Sequence, residues 1–296
     1  MTSGIVDSHF HIWRQRDLPW LDGPMVPRIF GPYEPIRRDY PIEEFLTDQE
    51  ASGVDKAVYV QTNWAKEHFE DEVAWVQATA ERTGWPHAIV GYADMTVEDV
   101  RPQLDRLRNY PLLRGVRMQL HWHETPEYRF ASSVRQVLDP NVRANVARLK
   151  DYDLTFDLQL FPGQMADGAE LVAENPDTQF ILTHTGMLTG MDPATQDAWQ
   201  AGLRKLAPYA NLSAKLSGLG TFLHRNDPAM IDYVVTNAVE ILGSDRLMFG
   251  SNFPIEKLWT DHLTMVSSYR DATAKYDDAT RAALFRGTAT RIYRPV

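Results

Sequence analysis

The sequence predicts an α/β protein built as a (β/α)8 barrel. Eight short β-rich apolar runs recur along the 296 residues, each followed by a stretch with helical periodicity. No dinucleotide-type Gly-x-Gly-x-x-Gly follows the first run, as an open doubly wound sheet would favour. Polar residues gather at the ends of many runs, where a barrel keeps its chemistry.

The runs are Ile5–Ile12, Lys56–Thr62, Ala88–Met95, Leu113–Leu120, Leu154–Leu160, Gln179–Thr185, Asn211–Leu219 and Arg246–Phe253. Between them, Val97, Val100, Leu104 and Leu107 keep one helix face, as do Val142, Val146 and Leu149, and Trp199, Leu203 and Leu206. Strands alternating with helices imply right-handed crossovers and a parallel sheet. Without a linker, repeat or low-complexity tract, the expectation is one barrel domain over residues 1–296. Two connections exceed ordinary βα loop length, at about 13–40 and 121–139. Both follow strands and so belong to the C-terminal face. The first carries Trp13, Trp20, Phe30 and Tyr33 and reads as a substrate wall, or as a packed cap. The closing segment Asp277–Tyr293 has helical periodicity and is expected to complete the outer ring.

Thirty basic against forty acidic side chains give a formal charge of −10. Nucleic acid and anionic membranes are therefore disfavoured as partners, whereas a small anionic or cyclic substrate needs only one or two local arginines. Cysteine is absent, which excludes disulfides, thiolate metal sites and a thiol nucleophile. The sequence shows neither a leader-like start nor an apolar run long enough to span a bilayer, so the expected location is cytoplasmic. A homo-oligomer stays open.

The chemistry begins at Asp7-Ser8-His9-Phe10-His11 on the first run. Residues two apart on a strand face one side, so His9 and His11 point together, and neutral imidazoles suit zinc and similar ions. A structural His-x-His pair is the plainer reading of that motif alone. Thr183-His184-Thr185, ending the sixth run, brings a third imidazole to the same mouth. Other strand ends offer Gln61 on the second, Arg117, Gln119 and His121 on the fourth, Asp157 and Gln159 on the fifth, and Lys215 on the seventh. These are expected to bind substrate, although Asp157 and Lys215 also suit a buried ion pair. His68, His87, His224 and His262 fall on or beside helices and read as surface or structural. No Gly-x-Ser-x-Gly elbow or phosphate loop is present.

The Asp-x-His-x-His start, the histidine ending strand six and Arg246-Leu-Met-Phe-Gly-Ser-Asn-Phe-Pro254 resemble the amidohydrolase-related branch of the metal-dependent hydrolases. So do Phe156–Gln159, Lys215–Leu219 and Arg291–Arg294, so the likeness runs over essentially the whole chain. That branch includes sugar lactonases, dicarboxylate lactonases and decarboxylases of aromatic acids, and the chain resembles its fuconolactonase-like members. The resemblance implies His9, His11 and His184 as metal ligands and catalytic groups. It also implies an aspartate general base ending strand eight, where this chain has Asn252. Asn cannot take a proton at neutral pH and is a poor metal ligand. At most one divalent ion is therefore expected, with zinc the natural choice and metal-free chemistry still open. Asn252 keeps a hydrogen-bonding role in catalysis, and His184, when freed of metal, becomes the best-tuned base. The expected activity is lactone hydrolysis on a sugar acid or aromatic-degradation intermediate. Decarboxylation of an aromatic or unsaturated acid and a catalytically silent carboxylate-binding barrel are the alternatives.

Overall fold

Alternation along the strands sets the architecture. In the computed structural model, which describes residues 4–296, Val58 and Val60 face one apolar cluster while Ala57 and Tyr59 on the same strand face another. A strand buried on both sides in this way belongs to a sheet covered by helices outside and packed against itself inside. Eight such strands occur: β1 (Ile5–Phe10), β2 (Val54–Val60), β3 (Ala88–Gly91), β4 (Leu113–Val116), β5 (Thr155–Leu158), β6 (Phe180–Leu182), β7 (Leu212–Leu216) and β8 (Leu247–Phe249). They pair in parallel, each with the next, in sequence order.

No ladder joins β8 to β1; individual bonds bring them together instead. Ser8 Oγ donates to the Phe249 carbonyl at 2.7 Å, Asn252 N to the His9 carbonyl at 2.7 Å and His11 N to the Phe253 carbonyl at 2.8 Å. Asp7 Oδ1 accepts from the backbone N–H of both His9 (3.0 Å) and Ser251 (2.8 Å). The aspartate of the opening motif is thus a staple across the barrel seam.

Outside, the helices carry their own stop and start signals. Asp139, Asp192 and Asp227 each cap a helix that opens with proline, over Pro140–Val146, Pro193–Leu206 and Pro228–Leu242. Helix Phe69–Thr83 ends on Gly84 at φ 78°, a left-handed cap that favours glycine. No helix among the described residues is long and apolar enough to cross a membrane.

The inner cluster consists of Val6, Val58, Val60, Ala88, Val90, Ile181 and Met248 together with Ala289, Ile292 and Tyr293. The last helix, Thr288–Tyr293, therefore plugs the N-terminal end of the barrel and does not merely complete the outer ring. The long connections cover the opposite end. The first is pinned at its neck, where Trp13 and Tyr40 exchange backbone bonds of 2.9 Å. The second is pinned where Phe130 N and Ala131 N both donate to the His121 carbonyl.

Candidate active site

Val6 packs in the inner cluster, so strict alternation would turn His9 and His11 outward. A pairing irregularity corrects the phase. Between Asp7 and Phe10, β1 advances three residues while β2 advances two, from Ala57 to Tyr59. The bulge reverses the faces: Phe10 stacks outside on Phe45, with ring centroids 4.1 Å apart, and the two histidines turn inward. Their rings lie 5.0 Å apart, and the His9 ring is 4.8 Å from that of His184. His184 lies beyond β6 in a tight turn, with His184 at φ 53°, Thr185 at 48° and Met187 at 54°. A Cβ on Gly218 would stand 2.5 Å from His184 Nδ1, so only glycine lets that ring take its place.

The ring nitrogens divide by their bonds. His11 Nδ1 donates to the Val60 carbonyl at 2.7 Å, leaving Nε2 with its lone pair. His184 Nδ1 pairs with Ser217 Oγ at 2.8 Å. Among the described residues, neither nitrogen of the fully enclosed His9 has a partner. Burial holds all three rings in the neutral form. It works with Arg117 to push His11 down to about 3, with Lys215 to lower His9, and with Arg117 to lower His184. His184 is thus a much weaker base than an ordinary imidazole, contrary to what its isolated chemistry suggests.

Beside these rings opens a cavity of about 310 Å³. Its polar wall includes the candidates His11, His184, Gln61, Arg117, Gln119, His121, Gln159 and Asn252, and Trp13, Trp20, Phe30, Trp64, Phe130 and Phe222 supply apolar walls. Arg117 is 4% exposed. Its Nη2 donates to the Gln61 carbonyl at 2.5 Å, and its Nε has no partner. Burial pulls the guanidinium down to about 10, so it stays charged at neutral pH. Gln119 Oε1, Gln159 Oε1 and His121 Nδ1 are also buried without partners. Buried polar atoms are rarely left unpaired, and so many around one cavity call for a polar ligand. His121 is neutral, pushed down to about 3 by burial and then by Arg117. Asn252, at φ 55°, lies against His11.

Two expectations need correction. Asp157 and Lys215 do not line the cavity. Lys215 Nζ donates to Asp157 Oδ2 at 2.6 Å, Tyr293 Oη donates to Asp157 Oδ1 at 2.7 Å, and both charged side chains are fully buried. They form a closed pair over the plug, with Lys215 Nζ 4.9 Å from the Tyr293 ring centre. His9 stands behind the cavity wall, with its ring against two that line it. Of the remaining histidines, His262 is the enclosed one, bonded to Ser52 Oγ at 2.8 Å.

Sequence reasoning missed Glu256. Its carboxyl is buried beside Asn252 and the Gly220 backbone, and burial pushes it up to about 8. A lone acidic residue directly behind Phe253-Pro254-Ile255 was the available signal. Trp64, Thr221 and Phe222 on the cavity wall carried none.

Imidazole is a donor that zinc accepts. The engaged Nδ1 atoms of His11 and His184 and the orphaned nitrogens of His9 suit one such ion. Among the described residues, no three His, Cys, Asp or Glu side chains stand close enough as placed to form a complete ligand set.

The amidohydrolase family model matches residues 6–294. An uncharacterised protein of Sinorhizobium fredii is 34% identical, covering 98% of each chain. A Burkholderia multivorans protein named L-fucono-1,5-lactonase is 28% identical over 97% of this chain and 95% of its own. A crystal structure of a B. multivorans amidohydrolase with bound zinc superposes with a TM-score of 0.82 at 27% identity, covering 99% of both chains.

Proposed function

The chain belongs to the amidohydrolase family, and from that premise we propose that this enzyme opens a lactone ring by hydrolysis. The observation carrying the proposal is Arg117, a buried guanidinium with no carboxylate partner, set beside neutral imidazoles on a cavity wall. A fixed cation of this kind stabilises negative charge developing on a carbonyl oxygen.

In this reading, water attacks the ring carbonyl while Arg117 holds its oxygen. His184 Nε2 takes the proton, with the ring held by the Nδ1–Ser217 bond, and the ring C–O bond breaks. The proton passes to the departing oxygen, giving a hydroxy acid. Burial leaves His184 a weak base, and Asn252 supplies none. An ester leaving group needs less protonation than an amine, so lactones tolerate this weakness and amides do not. Asn252 orients the water or the carbonyl. One divalent ion drawn to the His9 and His11 imidazoles would further polarise the carbonyl, leaving His184 Nε2 to take the proton. The lactonase name and the bound zinc belong to the Burkholderia proteins, and they support the same reading here.

The test is a panel of sugar and aromatic lactones beside matched lactams and aromatic acids, with product analysis. Lactone hydrolysis that falls roughly 10²–10⁴-fold in His184→Asn, and falls likewise in Arg117→Met, is expected. Carbon dioxide released from an acid with every lactone inert would establish a decarboxylase instead. Inertness across the panel with a carboxylate bound in the cavity would establish a binding protein.

A further inference from the structure

The long connection after β1 carries five arginines, and four are used up in holding it. Arg14 and Arg16 meet Asp17, Arg38 meets Glu44, and Arg37 donates to the carbonyls of Leu21 and Gly23. Arg28 differs. It has neither an ion pair nor a hydrogen bond among the described residues, its Nε is buried without a partner, and it lines the cavity.

What holds Arg28 is an aromatic platform. Its guanidinium carbon lies 5.7 Å from the Trp20 ring centre. Trp20 is itself fixed, because its Nε1 donates to the Thr62 carbonyl at 2.8 Å and its ring meets Trp13 and Phe30 edge-on at 5.8 and 5.9 Å. A guanidinium stacked this way keeps its planar fork of donors free and already oriented, the arrangement that suits a carboxylate. The same cavity contains Arg117, also without an acidic partner. The other cation on its wall, Lys66, is taken by Asp94 at 3.1 Å, and the one carboxylate there, Glu127, is exposed. In a chain of charge −10, two unpaired guanidiniums in one small cavity leave room for two anionic or electronegative groups.

We propose that Arg28, stacked on Trp20, binds a carboxylate of the substrate remote from the ring carbonyl. The preferred substrate is then a lactone bearing a free carboxylate, and the product is a dicarboxylate. The substrate part of this inference rests on the lactonase reading. It separates this chain from the relative named for fuconolactone, an uncharged sugar lactone.

The experiment has a binding arm and a kinetic arm. In the first, calorimetry measures succinate, glutarate and adipate against butyrate in wild-type protein, Arg28→Gln and Arg28→Lys. At least one dicarboxylate is expected to bind about tenfold or more tighter than butyrate to wild type. Arg28→Gln erases that preference, Arg28→Lys keeps part of it, and both retain the wild-type melting temperature. Equal preference in wild type and Arg28→Gln would make Arg28 a loop staple and overturn the proposal. In the second arm, Arg28→Gln raises KM for carboxylated lactones about ten- to hundredfold with little change in kcat, while neutral lactones are unaffected. Neutral lactones hydrolysed as well as carboxylated ones by wild type would overturn the substrate assignment and leave the lactonase reading standing. Arg28-dependent dicarboxylate binding with no lactone hydrolysed would sink the lactonase reading and keep the anion site.

Discussion

Replacing Lys215 with Met separates a structural pair from a substrate contact. Lys215 and Asp157 meet at 2.6 Å, neither has any exposed side-chain surface, and the second carboxylate oxygen is held by Tyr293 at 2.7 Å. Met nearly matches lysine in length but removes the charge, so Asp157 keeps one hydrogen bond and loses its only ion-pair partner. Breaking one side of a buried pair costs about 3–5 kcal/mol. At about 2.1 cal/mol/K of unfolding entropy per residue, that corresponds to a fall in Tm of roughly 5–8 °C for 296 residues. Lys215→Met combined with Asp157→Leu removes the stranded charge but leaves the Tyr293 hydroxyl without its acceptor, so it should recover part of that loss and not all of it. Thermal and urea unfolding of the two variants beside wild type, with glutarate binding measured in each, makes the comparison. If the single variant melts with wild type but no longer binds ligand, Lys215 belongs to the cavity after all, and the plug-side placement is wrong.

Two further outcomes follow from the same geometry. His121 is buried and neutral, pushed down to about 3. Its contribution to stability is therefore present above the ordinary histidine value of about 6.5 and is lost as pH falls from there toward 3. His121→Gln should lower the slope of unfolding free energy against pH in that window by up to about 1.4 kcal/mol per pH unit, and an unchanged slope would show that the ring is not held neutral. Asn252→Asp places a carboxylate beside His11, which should tighten zinc binding about tenfold or more in a competition titration. Unchanged affinity would remove position 252 from the ion's surroundings.

The eight strands were legible because each apolar run is bounded by turn residues and followed by a helix face, but every run overshoots the ladder at its C-terminal end. Ile12 was expected where β1 stops at Phe10, Met95 where β3 stops at Gly91, and Phe253 where β8 stops at Phe249. The reason is chemical. Past the last ladder residue the backbone turns away to hold side chains at the mouth, through the left-handed conformations of Asn63, His184 and Asn252, and these turns leave no mark on the apolar pattern. The phase change in β1 is equally silent. The sequence paired His9 with His11 correctly, yet Val6, an odd number of residues from both, shares their side only because of the bulge.

That overshoot also explains which of the candidate residues line the cavity and which do not. His11, Gln61, Arg117, Gln119, His121, Gln159, His184 and Asn252 all lie beyond the last ladder residue of their strand, and all line the cavity. His9, Asp157 and Lys215 lie within the ladders of β1, β5 and β7, and none does. Alternation tells which side of a strand a residue faces, but its depth depends on where the ladder ends. Inside the ladder an inward charge meets other strands and the plug, so Lys215 and Asp157 must satisfy each other. Beyond it an inward charge meets the cavity. Arg117, one residue past Val116 on β4, falls on the outer side of that boundary, which leaves its cation for the substrate.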